Sequence, residues 1–74
     1  MELWDWLSVL EIGQKIVILG LTSRYKNIEV DKNYDKKGID VDDFLNDNKF
    51  AELYDKKINY VFVDNDIIKI GLIY

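Results

Sequence analysis

The clearest pattern of apolar and polar positions lies in residues 58–74, where two runs of β-branched and aromatic residues flank a short polar segment. That segment, Asp64-Asn65-Asp66, consists of residue types that tolerate the positive φ angles of a tight turn. Apolar runs on both sides of such a turn are typical of a β-hairpin. We therefore predict that residues 58–74 form two antiparallel strands joined by a short turn.

The length of this turn decides which side chains face inward, because a one-residue slip moves every side chain to the opposite face. A two-residue turn at Asn65-Asp66 directs Val61 and Val63 inward. A three-residue loop over 64–66 instead directs three other residues of the first strand inward: Ile58, Tyr60 and Phe62. We favour the three-residue loop, since it gathers three outer residues on one side: Asn59, Lys69 and Gly71. Both turns direct the same residues of the second arm inward: Ile68, Ile70 and Leu72.

Apolar spacing also predicts the elements of the first half of the chain. Residues 2–11 carry leucines at helical intervals, and Gly13 is placed to close that helix. Residues 15–21 are almost continuously apolar, which is typical of a central strand covered on both faces. A shorter and more polar run at 25–30 predicts a second strand.

A second helical region is predicted to begin at Asp40, a preferred N-cap residue, with Ile39 and Phe44 forming a hydrophobic staple. Its apolar faces are out of phase, so we expect a kinked helix or two short helices over about 41–55. The predicted order is therefore α-β-β-α-β-β in a single domain over residues 1–74. This order indicates an α+β fold with a small, mainly antiparallel sheet and helices packed on one face.

Composition narrows the classes of function. The chain is 49% hydrophobic and 14% aromatic, which is enough for a folded core despite a length of 74 residues. It contains neither histidine nor cysteine. Their absence removes the commonest general base, thiolate and imidazole metal ligands, and every Ser-His or Cys-His nucleophile pair. We therefore expect no enzymatic activity and no cofactor.

Charge and hydropathy narrow the expected partners. A formal net charge of −4 and a single arginine, Arg24, argue against direct nucleic-acid binding, which needs clustered basic residues. The longest apolar run outside the hairpin, 16–21, is too short to cross a bilayer, and Glu2 and Asp5 are unlike the basic start of a secretory signal. We expect no membrane association and a cytoplasmic location in a bacterial host.

An acidic cluster near the predicted second helix is the main candidate contact surface; it comprises Asp40, Asp42, Asp43 and Asp47. No basic residue separates these acids, and such a surface imitates nucleic acid or docks into a basic groove. Local capping of the helix start is their alternative role. Tyr34 and Tyr74 are expected to be exposed, and exposed tyrosines are favoured interface anchors. The predicted partner-binding residues are thus Tyr34 and the four aspartates.

Part of this region also resembles an EF-hand calcium loop. Residue types match at five positions of that motif: Asp31, Asn33, Asp35, Ile39 and Asp43. Carboxylate and amide oxygens at alternate positions suit calcium, which takes about six to eight oxygen ligands. The segment departs from the motif through an extra residue before Ile39 and through Lys36 in place of the turn glycine. Calcium binding at 31–43 is therefore an alternative to a capped helix preceded by a solvated loop.

The two ends of the chain share a layout with a known group of proteins. A Leu/Trp-rich start precedes a glycine, the run Lys15-Ile16-Val17-Ile18 and the hairpin over 60–70. This layout resembles small accessory proteins of Firmicute phages and prophages. It covers about half of the chain and leaves residues 22–57 uncovered. Such proteins include inhibitors of host defence, among them anti-CRISPR proteins, which are often short, acidic and non-enzymatic.

The sequence thus favours a non-enzymatic binding protein of phage or mobile-element origin that occupies a protein surface. The expected partner is a nucleic-acid-binding host nuclease or another defence effector. An alternative is a self-associating structural module, in which the apolar outer face of the hairpin forms a homodimer.

Overall fold

The computed structural model describes residues 1–25 and 28–73. Short helices connect the strands of one sheet. In chain order the elements are α1 (Leu3–Leu7), β1 (Lys15–Ile18), α2 (Leu21–Arg24), α3 (Tyr34–Lys37), β2 (Ile39–Asp40), α4 (Val41–Asn46), a 3₁₀ helix (Asn48–Leu53), β3 (Ile58–Asp64) and β4 (Ile67–Leu72). Among the described residues, none of these helices has the length and apolar character that crossing a membrane requires.

The four strands form a mixed sheet in the order β2-β1-β4-β3. Strand β1 is antiparallel to β2 and parallel to β4, and β4 is antiparallel to β3. The predicted α+β class and small sheet are confirmed, with two of the three pairings antiparallel. The packing of the helices on one face stays a prediction.

The second strand of the sheet is not where the sequence predicted it. Tyr25 and residues 28–30 belong to no strand, and residues 26–27 of that predicted strand lie outside the described residues. Ile39 and Asp40 pair with Ile16 and Lys15 instead. The Asp40 carboxylate lies 2.9 Å from the Lys15 ammonium, so an ion pair accompanies the backbone pairing.

Strand β1 occupies the centre of the sheet, as its continuous apolar run predicted. Ile16, Val17 and Ile18 are completely buried. The strand ends at Ile18 rather than at residue 21, because Gly20 adopts a left-handed conformation (φ 76°) from which α2 begins. Such a conformation is open to glycine at little steric cost.

The predicted break in the second helical region is confirmed. Helix α4 ends at Asn46, Asp47 adopts an extended conformation, and the 3₁₀ helix follows. Asp40 is the N-cap residue of α4, as predicted, but its side chain makes no capping hydrogen bond. Its carboxylate contacts Lys15 instead.

The hydrophobic core joins these helices to the sheet. Leu3 and Leu7 of α1 are buried in one cluster with Phe44 of α4, Phe50 of the 3₁₀ helix and Ile70 of β4. The rings of Phe44 and Phe50 stack with centroids 4.3 Å apart. Each fully buried side chain of this size contributes about 1.5–3 kcal/mol to folding.

The hairpin turn has two residues, so the prediction of a three-residue loop is wrong. Asn65 (φ 53°) and Asp66 (φ 64°) are both left-handed, and Asp64 pairs directly with Ile67. Two successive positive φ angles are typical of a type I′ turn, whose twist matches that of the flanking strands. The register therefore places Val61 opposite Ile70, and the side chains of β3 face opposite to our favoured prediction.

Candidate functional site

Two of the four aspartates in the predicted acidic surface pair with lysines of the same chain. Asp40 pairs with Lys15, and Asp47 accepts a hydrogen bond from the backbone N–H of Lys49 at 3.1 Å while its other oxygen lies 3.4 Å from the Lys49 ammonium. Asp47 therefore caps the 3₁₀ helix, which is the local role given as the alternative to partner binding, whereas Asp40 forms an ion pair and no cap. The two ion pairs leave less uncompensated negative charge here than the sequence indicates.

The remaining two aspartates lie in the first turn of α4. Asp43 is exposed and available to a partner. Asp42 is partly buried, and its Oδ1 atom is buried without a hydrogen-bond partner among the described residues. The helix dipole favours an acidic side chain at this end of a helix.

Tyr34 is buried, so the prediction that it is exposed is wrong. Only 3% of its surface is accessible. Its hydroxyl accepts a hydrogen bond from the backbone N–H of Ile18 and donates to the Ile18 carbonyl at 3.4 Å. Tyr34 belongs to α3 and has a structural role, because its hydroxyl bonds the backbone of β1. Its buried side chain cannot anchor a partner. Tyr74, the other tyrosine expected to be exposed, lies outside the described residues.

The region predicted as a possible calcium loop forms a helix and a strand instead. Helix α3 and strand β2 occupy residues 34–40, and Asp31 accepts a hydrogen bond from the backbone N–H of Asn33 at 2.7 Å. This bond and the nearby Lys37 ammonium, 3.3 Å away, lower the pKa of Asp31 below its usual value. Within residues 1–25 and 28–73, no three acidic side chains come together as a metal site would require.

The outer strand of the hairpin exposes several apolar side chains in succession. Four neighbouring apolar residues of β3 form what we call the hairpin surface: Tyr60, Val61, Phe62 and Val63. Their exposed fractions are 50%, 37%, 46% and 66%. A cluster of exposed apolar side chains marks an interaction site more often than a single exposed one does.

The aromatic side of the hairpin surface is held in a defined arrangement. Gly71 lies opposite Tyr60, and a Cβ atom at Gly71 would lie 2.3 Å from the Tyr60 ring, so the ring covers the glycine. The Tyr60 and Phe62 rings are nearly parallel, with an angle of 11° and centroids 6.3 Å apart. An aromatic ring over a strand glycine also helps to fix strand register. The two rings therefore present an ordered apolar face.

The backbone of β3 is also open along part of its outer edge. Leu19 donates to the Ile70 carbonyl at 2.9 Å, so the polar backbone groups of Ile70 point away from β3. In an antiparallel pair the residue opposite such a position, here Val61, also points its backbone groups away from its neighbour. The same alternation turns the backbone groups of Val63 outward.

The beginning of β3 is covered by the N-terminal segment. Glu2 forms an antiparallel bridge with Lys57, and the backbone N–H of Ile58 donates to the Met1 carbonyl at 3.0 Å. A register irregularity follows between Ile58 and Tyr60. The open edge of β3 therefore runs over 60–64, and it carries the hairpin surface.

A second candidate contact site is a shallow groove of about 430 Å³ lined by Glu2, Trp4, Tyr54 and Asp55. Its aromatic walls, Trp4 and Tyr54, have ring centroids 5.4 Å apart. The Tyr54 hydroxyl shares its single proton between the carbonyls of Phe44 (3.2 Å) and Leu45 (3.0 Å), which fixes its ring. Aromatic faces beside carboxylates suit a cationic side chain.

The sequence indicated a contact role for the apolar outer face of the hairpin only in the alternative of self-association, and none of its four residues was among the predicted partner-binding residues. The signal was present in the alternative two-residue turn at Asn65-Asp66, which places Tyr60 and Phe62 on the face of Lys69 and Gly71. That β3 is the outermost strand of the sheet depends on the pairing of β1 with β4, which local patterns do not encode.

Comparison with known proteins gives this chain no family: no protein-family model, no curated protein and no solved structure matches it.

Proposed function

We propose that this protein is a non-enzymatic binding protein that acts by occupying a surface of another protein, and that the hairpin surface makes the contact. The observation that carries this proposal is an outermost strand with four successive apolar side chains exposed on both of its faces. Tyrosine and phenylalanine are enriched at the buried centres of protein interfaces. The hairpin surface replaces Tyr34 as the source of aromatic anchors.

The partner in this proposal has a basic surface. The chain carries a formal net charge of −4, and the groove beside Trp4 and Tyr54 has a carboxylate from Glu2 and another from Asp55. A guanidinium or ammonium group in that groove would gain cation–π and ionic contacts. A nucleic-acid-binding effector of a bacterial host meets this requirement, and the resemblance to phage accessory proteins supports such a partner.

The proposal is tested by capture from a bacterial lysate with purified variants of the protein. Phe62→Lys removes an exposed ring of the hairpin surface, and Ile12→Lys makes the same charge change at a residue that is 85% exposed and outside that surface. We expect Phe62→Lys to lose the captured protein and Ile12→Lys to retain it. Equal capture by both variants would reject the hairpin surface.

A separate variant tests whether the acidic cluster contacts the partner. Asp43→Lys reverses the charge of the exposed aspartate in α4 and leaves the ion pairs of Asp40 and Asp47 in place. If Asp43→Lys loses the captured protein and Phe62→Lys retains it, the contact surface is the acidic cluster predicted from the sequence. Circular dichroism of each variant checks that the fold is retained.

A further inference from the structure

The open edge of β3 lacks the features by which monomeric proteins protect an outer strand. Such strands carry charged residues, prolines or bulges that prevent pairing with another chain. In β3 the irregularity after Ile58 and the charge of Asp64 lie at the two ends. Between them, residues 60–63 are uncharged, contain no proline and are exposed. This stretch is a template for one more strand.

We infer that the strand added to this edge is β3 of a second copy of the same chain, paired antiparallel about a two-fold axis at Phe62. The inference rests on the proposed function, because it assigns a second copy of the chain as one partner of the hairpin surface. A two-fold axis at Phe62 superimposes the open edge, 60–64, on itself. The two four-stranded sheets then become one continuous sheet.

The backbone pattern agrees with this axis. Val61 and Val63 direct their backbone groups outward, and the axis places Val61 of one copy opposite Val63 of the other. Residues that both point outward form a hydrogen-bonded pair, so the two such pairs supply about four backbone hydrogen bonds. Phe62 then faces Phe62 of the second copy in a non-hydrogen-bonded pair, where side chains approach most closely.

Side-chain chemistry also agrees. The nearly parallel rings of Tyr60 and Phe62 continue across the axis into those of the second copy, which gives a row of aromatic rings on one face. Valines meet valines on the opposite face. Asp64 lies opposite Tyr60 of the second copy, so the two acidic turns do not face each other.

Neighbouring registers are less favourable for identifiable reasons. An axis at Val61 would bring Asp64 of the second copy opposite Ile58, whose outer backbone position Met1 already occupies. An axis at Val63 would place Asp64 diagonally across from Asp64 of the second copy on the same face, so two like charges would become neighbours across the strand pair. The structure therefore selects Phe62 as the centre.

Sedimentation equilibrium of the purified protein over a wide concentration range tests the inference. We expect a reversible monomer–dimer equilibrium for the wild type and for the control Ile12→Lys. Phe62→Lys and Phe62→Glu should each be monomeric, because the axis places two like charges opposite each other. An equimolar mixture of these two variants should dimerise again, since a lysine then faces a glutamate.

Three results would overturn the inference: a wild type that is monomeric at every concentration, a Phe62→Lys variant that dimerises as the wild type does, or a mixture that stays monomeric. The lysate experiment separates this failure from that of the proposed function. If the wild type is monomeric but Phe62→Lys still loses its captured protein, self-pairing is rejected and the hairpin surface remains the contact site.

Discussion

The Tyr34 side chain stabilises the sheet where β2 ends, because it contacts the backbone of β1 beyond the last residue that β2 pairs with. Strand β2 pairs with β1 only at Lys15 and Ile16, so the backbone of Ile18 extends beyond its end. The Tyr34 hydroxyl contacts both polar backbone groups of Ile18, while its ring is buried in the core. One side chain thereby satisfies a buried backbone position and contributes apolar area.

Tyr34→Phe should lower the free energy of unfolding by about 1–3 kcal/mol, because it leaves the buried backbone N–H of Ile18 without an acceptor. Urea denaturation followed by tryptophan fluorescence measures the change. Tyr60→Phe is the matched control, since the Tyr60 side chain is half exposed; we expect a change within about 0.5 kcal/mol. Equal effects of the two substitutions would contradict the role of the Tyr34 hydroxyl.

At the scale of elements, the hairpin depends on its turn. Asn65 and Asp66 both adopt positive φ angles, which are accessible to Asn and Asp but favoured most by glycine. The Gln14 side-chain amide donates to the Asp66 carbonyl at 3.0 Å and so attaches the turn to the segment before β1. The turn therefore fixes both the register of β3 and its position beside the sheet.

Asp66→Gly should stabilise the protein by about 0.5–1 kcal/mol, because glycine relieves the cost of the left-handed conformation and retains the carbonyl that Gln14 contacts. Asp66→Val should destabilise it by about 1–2 kcal/mol, since a β-branched residue is strained at positive φ. Thermal unfolding followed by circular dichroism measures both. The same direction of change for both variants would argue against a conformational cause.

At the scale of the whole molecule, size explains the exposed aromatic residues. A domain of this length buries only about 60% of the surface of its unfolded chain. The core takes in Phe44, Phe50 and Tyr34, whereas Tyr60 and Phe62 remain on the outermost strand. The radius of gyration of 11.1 Å is close to the value of about 11 Å expected for a compact chain of this length, so the exposed strand belongs to the compact body.

Alkaline pH should destabilise the whole molecule in part through Tyr54. Burial, with a smaller effect from Asp47, raises the pKa of Tyr54 above its usual 10.0. The folded state therefore favours the neutral phenol. The corresponding stability is fully present below the unfolded pKa of about 10, and it is lost as pH rises through the higher folded pKa.

The matched variant is Tyr54→Phe, which cannot ionise. We expect it to be less stable than the wild type near pH 8, because the bonds to the Phe44 and Leu45 carbonyls are lost, and the difference should shrink above about pH 10. Urea midpoints of both proteins across this range measure the effect. A difference that stays constant with pH would show that Tyr54 does not contribute to the alkaline loss.

The sequence by itself determined the elements whose signals are local. The continuous apolar run of β1, the break near Asp47 and the hairpin around Asn65 follow from side-chain type and spacing over a few residues. Each of these features depends on residues that are close in sequence, so the sequence pattern predicts it without knowledge of the fold.

Tertiary structure alone decided which surfaces are exposed. The burial of Tyr34 requires the backbone of Ile18 beside it, and the position of β3 as the outermost strand requires the parallel pairing of β1 with β4. The turn at Asn65-Asp66 was one of two turns open to the sequence, and the fold selected it together with the face that Phe62 presents. These outcomes depend on contacts between residues distant in the chain, which hydrophobic periodicity does not encode.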